Sequence, residues 1–315
     1  QQIEVGIKVF YRHLGYQPRG FWLPECGYYQ GLEDILVEQG IRYFFVDSHA
    51  IEGGKPPQVS SGMEDIFDED DEIFEVFKET GLSTYRPYRV KEKPIAVFGR
   101  NAMVSAQVWS RTFGYPGDNV YREFHKQHPR SGLKYWKVSD KNSGGNKAVY
   151  NRIEAQERVR HHAHHFFSLL KDVGKEAAKL GFREPLIVAC YDTELFGHWW
   201  WEGVDWLEEV VRLVSSDGSL KMVLPSVVMR DWERFADAQV FESSWGVGGK
   251  HTGWYNRETE WMWNIIHEAQ TDYNNLEIRA GSESIKRAAV QARKELMLMQ
   301  SSDWFFMVTN NHTRD

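Results

Sequence analysis

Apolar positions along the chain change period several times, and each change marks an element. Over residues 2–14, Ile3, Ile7, Phe10 and Leu14 recur near helical spacing, and Gly15 follows as a C-cap. GFWL (20–23) then reads as a strand that delivers Glu25; Pro24 cannot donate a ladder hydrogen bond and marks the strand's end. A short helix over 30–39 stops at Gly40, and IRYFFVD (41–47) is the next buried strand, with His49 just beyond it. This strand–helix–strand rhythm implies a parallel sheet. Residues 51–93 interrupt it. GGKPPQVSSG has loop composition, and residues 63–81 carry nine acids in nineteen positions interleaved with apolar residues, a helical excursion over the mouth of the fold. PIAVFGRN (94–101) resumes strand character, with Arg100 and Asn101 at the end that would point at substrate.

The second half repeats the theme. Residues 104–128 and 135–151 read as loops, and 152–180 as a long helix. In REPLIVAC (183–190), the continuous apolar run Leu186 to Ala189 reads as a strand buried on both faces. An amphipathic helix covers 204–216, and Pro225 and Ser226 suit first helical positions within 222–235. A Gly-rich loop fills 243–256, and helices dominate from 257 on. The division is a catalytic α/β part over 1–245, with an insertion around 51–93, and a helical part over 246–315.

Candidate chemistry sits at two strand ends. After the 183–190 strand, YDTELFGHWWWEG sets Asp192 and Glu194 beside Trp199, Trp200 and Trp201. After the first strand, Glu25 follows Pro24 and lies near Trp22. Two acids, each beside indole rings, suit glycoside cleavage or transfer, which needs one carboxylate nucleophile and one carboxylic acid. Sugars present C–H faces for the rings and hydroxyls for the acids. Asp192 and Glu194 would share a face of a continuing strand, so the residues alone leave both open as the acid.

WLPEC around Glu25 and YDTELFGHWW around Asp192 resemble two signature regions of glycoside hydrolase family 57, and most closely those of its α-1,4-glucan branching enzymes. VWSRTFGYPGDNVYREFH (108–125) and SSWGVGGKHTGWYN (243–256) extend the resemblance over nearly the whole chain. The resemblance implies an incomplete (β/α)7-type barrel with a C-terminal helical domain, Glu25 as nucleophile and Asp192 as general acid/base. A retaining mechanism of this kind sets the two carboxyls about 5–5.5 Å apart. It also implies a groove lined by Trp22, Trp109, His198, Trp200, Trp245 and Trp254 that binds α-glucans such as amylose, amylopectin or glycogen, with no metal and no cofactor. The implied activity is 1,4-α-glucan branching, with 4-α-glucanotransfer or α-amylase-type hydrolysis as the alternative on the same two acids. A glucan-binding protein without activity would lack one of them, and a polysaccharide deacetylase would need an Asp/His metal triad.

Composition narrows the partners. A net charge of −7 with no basic run argues against nucleic acid, and no stretch of eighteen apolar residues argues for a membrane span. Thirteen tryptophans exceed what a core hides easily, so some face a groove. Cys26 and Cys190 adjoin the two candidate acids and read as a pair of reduced buried thiols, in keeping with a cytoplasmic protein. His161 and His165 share a helix face, but a third zinc ligand is not evident nearby, and the cluster 161–165 reads as structural or solvated. The chain starts inside a helical pattern and lacks the family's His-bearing first signature, so it reads as an internal piece of a longer protein.

Overall fold

The computed structural model describes residues 1–54, 78–110, 112–139, 147–279 and 282–311. The acidic excursion expected within 63–77 lies outside the described residues. Helix α1 (Gln2–Leu14) ends as its sequence predicts: Gly15 is left-handed (φ 77°), and its N–H bonds Tyr11 O. Strand β1 (Gly20–Phe21) follows, then α2 (Leu32–Glu38), β2 (Tyr43–Val46), α3 (His49–Glu52), β3 (Tyr88–Val90) and β4 (Ala96–Gly99). Next come α4 (Ala102–Trp109), α5 (Arg152–Lys179), α6 (Gly203–Ser216), α7 (Pro225–Val228) and β5 (Asp237–Ala238). Three helices close the chain: α8 (Glu260–Arg279), α9 (Glu283–Met299) and α10 (Ser302–Thr309).

The strands form one sheet in the order β1-β2-β4-β3-β5. β1, β2 and β4 run parallel, as the strand–helix–strand rhythm requires; β3 is antiparallel to β4 and parallel to β5. Residues of β2 alternate between two cores, because successive side chains leave a strand on opposite faces. Phe44 and Val46 pack with Ile7, Leu36, Tyr88 and Val97 under α1 and α2. Tyr43 and Phe45 face the other way, onto Phe98, Val188 and Phe235.

Three expectations change. Residues 104–109 are helical rather than loop: Asn101 caps α4, its side chain accepting the Val104 N–H at 3.2 Å. The 183–190 run, expected as a strand buried on both faces, forms no strand; of its residues only Val188 is buried, and Ala189 is exposed. Leu186 N–H bonds Tyr85 O and Asn101 N–H bonds Val188 O, both at 2.9 Å. Arg100 does not point at substrate; it is 3% exposed and ion-paired with Asp47 at 2.6 Å.

Helix α5, capped by the Asn151 side chain, packs on α6 through Val159, Ala163, Phe166, Trp206, Val210 and Val214. Two of its histidines, His162 and His165, meet tyrosines of this packing, while His161 and His164 are exposed. Tyr115 Oη meets His165 Nδ1 at 2.7 Å, and Tyr121 Oη meets His162 Nδ1 at 2.8 Å. Burial pushes His162 down to about 4, so it stays neutral. This accords with the structural or solvated role expected for the cluster. The C-terminal helices seal a separate core of Trp254, Ile266 and Phe305, where Trp263 stacks on Phe305 at 4.2 Å.

Candidate active site

Glu25 lies on a sharp turn. The chain leaves β1, Pro24 stops the ladder, and a short 3-10 turn over Pro24–Cys26 follows. Within it, Glu25 and Cys26 both hold left-handed backbone, φ 58° and 52°. Such a conformation costs an L-residue roughly 1–2 kcal/mol, and two in succession persist only where the surroundings fix them. Here the 243–245 segment does so. Tyr28 and Ser243 exchange backbone bonds at 2.8 and 3.0 Å, and Trp245 N–H bonds Glu25 O at 3.0 Å.

Trp245 also holds the side chain: its indole N–H donates to Glu25 Oε2 at 2.6 Å. A hydrogen bond to an ionised acceptor is among the strong ones and favours the carboxylate. Trp245 is braced in turn. Trp22 packs on it with ring centres 5.3 Å apart, and the Arg100 guanidinium lies 5.1 Å from its ring centre. The Arg100–Asp47 pair is thus part of the scaffold behind the nucleophile candidate.

Asp192 begins the second loop, at the N-cap of a 3-10 turn over Thr193–Leu195. Burial raises its carboxyl to about 6, helped by the charges of Glu194 and Glu25 and opposed by Arg100. Glu25 is also raised, mainly by burial, while the Trp245 bond pulls it back. The Glu25 charge acts on Asp192, and the Glu194 charge acts on both acids. Glu194 is exposed, whereas Asp192 is half-buried.

A further contribution comes from a place the sequence did not flag. The charge of Asp303 raises Glu25, and the Ser302 side chain favours its ionised form. Both belong to the first turn of α10. SSDW reads locally as an ordinary acidic helix start, and nothing in it points 278 residues upstream to Glu25.

Six residues are expected in the groove. Trp22, Trp109 and Trp245 are half-buried, and His198 is exposed. Trp109 lies 6.5 Å from Trp245 and 6.4 Å from Trp199, measured between ring centres. Trp200 and Trp254 are corrections. Trp200 is 1% exposed and packs on Tyr121 and Trp206. It is Trp199, at 38% exposure, that reaches Trp109. Three identical residues in a row hide that the outer two, Trp199 and Trp201, turn out while Trp200 turns in. Trp254 is 6% exposed and stacks on Phe306. Gly246 makes room for it, since a Cβ there would come within 2.8 Å of the indole.

Cys26 is fully buried and Cys190 partly so, and both are free thiols, as expected. Burial raises both, Cys190 to about 12, which keeps them protonated and unreactive. Among the described residues, no set of three His, Cys, Asp or Glu side chains is arranged to hold a metal, and no helix is long and apolar enough to cross a membrane.

The chain is similar to known proteins over its whole length. The profile of glycosyl hydrolase family 57 matches residues 1–242, and that of the 1,4-alpha-glucan branching enzyme C-terminal region matches 265–315. A 1,4-alpha-glucan branching enzyme of Thermococcus kodakarensis is 37% identical over 100% of this chain and 47% of its own. In its crystal structure, 98% of this chain superposes on 57% of that one, with a TM-score of 0.85. A branching enzyme structure from Pyrococcus horikoshii gives 0.82 at 36% identity, covering 98% and 57%. The alpha-amylase AmyC of Thermotoga maritima gives 0.76 at 33% identity, covering 99% and 59%. The chain spans about half the length of the curated relatives it matches. The expected fold class, a (β/α)7-type barrel with a helical C-terminal part, accords with these structures. With more than half of its residues matched by the family profile, the chain belongs to glycosyl hydrolase family 57.

Proposed function

We propose that the protein is a 1,4-α-glucan branching enzyme that works by retaining transfer, with Glu25 as nucleophile and Asp192 as general acid/base. The observation that carries this reading is the contrast between the two acids. Burial raises both, but Glu25 receives the Trp245 N–H at 2.6 Å, which pulls it back toward the carboxylate, whereas the charges of Glu194 and Glu25 add to the rise of Asp192, to about 6, and favour its protonated form. In the first step Glu25 attacks the anomeric carbon. The glycosidic C–O bond breaks as Asp192 passes its proton to the leaving oxygen, and a glycosyl ester of Glu25 forms. In the second step ionised Asp192 takes the proton from the 6-hydroxyl of an acceptor chain. That oxygen attacks the anomeric carbon, frees Glu25, and creates an α-1,6 branch. Trp22, Trp109 and Trp245 stack on the sugars, and His198 at the rim offers a hydrogen bond. Amylose, amylopectin or glycogen would be the polymers served, and two protonated thiols suit a cytoplasmic setting. We place the boundary between the barrel part and the helical part near residue 245, where the chain leaves Glu25 for the Trp254 core.

Similarity to the Thermotoga maritima alpha-amylase favours hydrolysis as the second reading. One assay on the full-length protein separates the two. Branching conserves reducing ends, and hydrolysis adds one per cut. Incubation with amylose is expected to lower iodine staining with few new reducing ends, and debranching should then release short linear chains. Reducing ends that rise in step with the loss of staining would overturn branching and leave hydrolysis.

A further inference from the structure

Rings do not stop at the catalytic acids. From Glu25 outward, Trp245 is followed by Trp109 at 6.5 Å and Trp199 at 6.4 Å. Beyond Trp199, His198 follows at 6.2 Å, and Phe124 lies 4.9 Å from His198. The Lys134 ammonium sits 3.8 Å from the centre of the Phe124 ring.

The outer limb is held in place from both sides. Trp200 N–H bonds Leu195 O and Gly197 N–H bonds Trp200 O, both at 2.8 Å. Gly197 adopts φ 84° to make this tight loop possible. With Leu195 and Trp200 anchored in the core, His198 and Trp199 are thrust outward. Phe124 is fixed by a ribbon in which Glu123 N–H bonds Trp136 O at 2.8 Å and Val138 N–H bonds Tyr121 O at 2.9 Å. Beneath it, Glu123 is paired with Lys147, and the Arg122 guanidinium lies 3.6 Å from the Trp201 ring centre. A tryptophan left 38% exposed on an anchored loop, linked through His198 to a second aromatic on a hydrogen-bonded ribbon, is a preorganised stacking surface rather than a fold requirement.

We infer that Trp199, His198 and Phe124 form a distal limb of the glucan groove that reads chain length. The inference rests on the glucan-transfer reading above. The occupant is a neutral α-1,4-glucan strand continuous with the one at Glu25. Short oligosaccharides fill the inner positions, where the carboxyls supply hydrogen bonds, and only longer ones reach Trp199 and Phe124. The limb therefore adds affinity with length and sets the shortest chain that is held well.

The test measures binding of maltotriose and maltoheptaose by calorimetry, in the full-length protein carrying Glu25→Gln to stop turnover. Maltoheptaose should bind more tightly than maltotriose. Adding Trp199→Ala should weaken maltoheptaose by roughly 2- to 12-fold, the span of one aromatic stacking contact, and leave maltotriose affinity unchanged. Phe124→Ala, on a separate element, should act in the same direction, so the test does not depend on one variant folding. Equal losses for both sugars, or no loss for either variant, would overturn the distal limb while leaving glucan transfer intact. Failure of the Glu25→Gln protein to bind either sugar would overturn the glucan reading and the limb with it.

Discussion

Glu25 and Asp192 are both pushed toward the protonated form by burial, and different neighbours set how far. The first step needs Glu25 ionised and Asp192 protonated, so kcat/KM should fall on both sides of an optimum. The alkaline limb belongs to Asp192 and should lie near its raised value of about 6. The charge of Glu194 contributes to that rise. In Glu194→Gln the charge is gone, Asp192 releases its proton more readily, and the alkaline limb should move to lower pH with activity kept on its acid side. Loss of activity at every pH would instead make Glu194 the acid. The sequence left these two acids unresolved because both fit one strand face. In the structure Asp192 opens a turn and is half-buried, while Glu194 is exposed.

Among the elements, local signals were legible and distant ones were not. The cap of α1 at Gly15, the Asn151 cap of α5 and the Pro225 start of α7 are written in adjacent residues, and the structure follows them. Helix α4 carried a readable cap in Asn101, but its apolar residues show no clear stripe, so it read as loop. Strands β3 and β5 are three and two residues long, and their pairing joins Arg89 to Asp237, so neither leaves a periodic trace. Trp254, which the resemblance puts in the groove, is instead covered by the C-terminal helices, whose packing on it no local signal reveals. Helix α10 gives this distance a chemical consequence. The Asp303 charge raises Glu25, so Asp303→Asn should lower it. Glu25 must be ionised to attack, and the acid limb of the kcat/KM profile should therefore move to lower pH. An unmoved acid limb would separate α10 from the nucleophile.

For the whole molecule, the site is an assembly of parts that are far apart in the chain. The turn after β1 supplies Glu25, and the loop after the 183–190 run supplies Asp192. The Gly-rich 243–256 loop supplies Trp245, and α10 closes the set. Two strained residues, Glu25 and Cys26, are held by bonds to that Gly-rich loop, so folding of the later segment fixes the geometry of the earlier one. The central claim is that Glu25 forms a covalent glycosyl ester and Asp192 moves the proton. The most direct test is intact-protein and peptide mass measurement of full-length Asp192→Asn after exposure to an α-maltosyl fluoride. Fluoride leaves without an acid, but an acceptor cannot be activated without the base, so the ester should accumulate. One added maltosyl group mapped to Glu25 is the expected result. A label on Glu194 or another carboxylate, or fluoride release with no label at all, would contradict it.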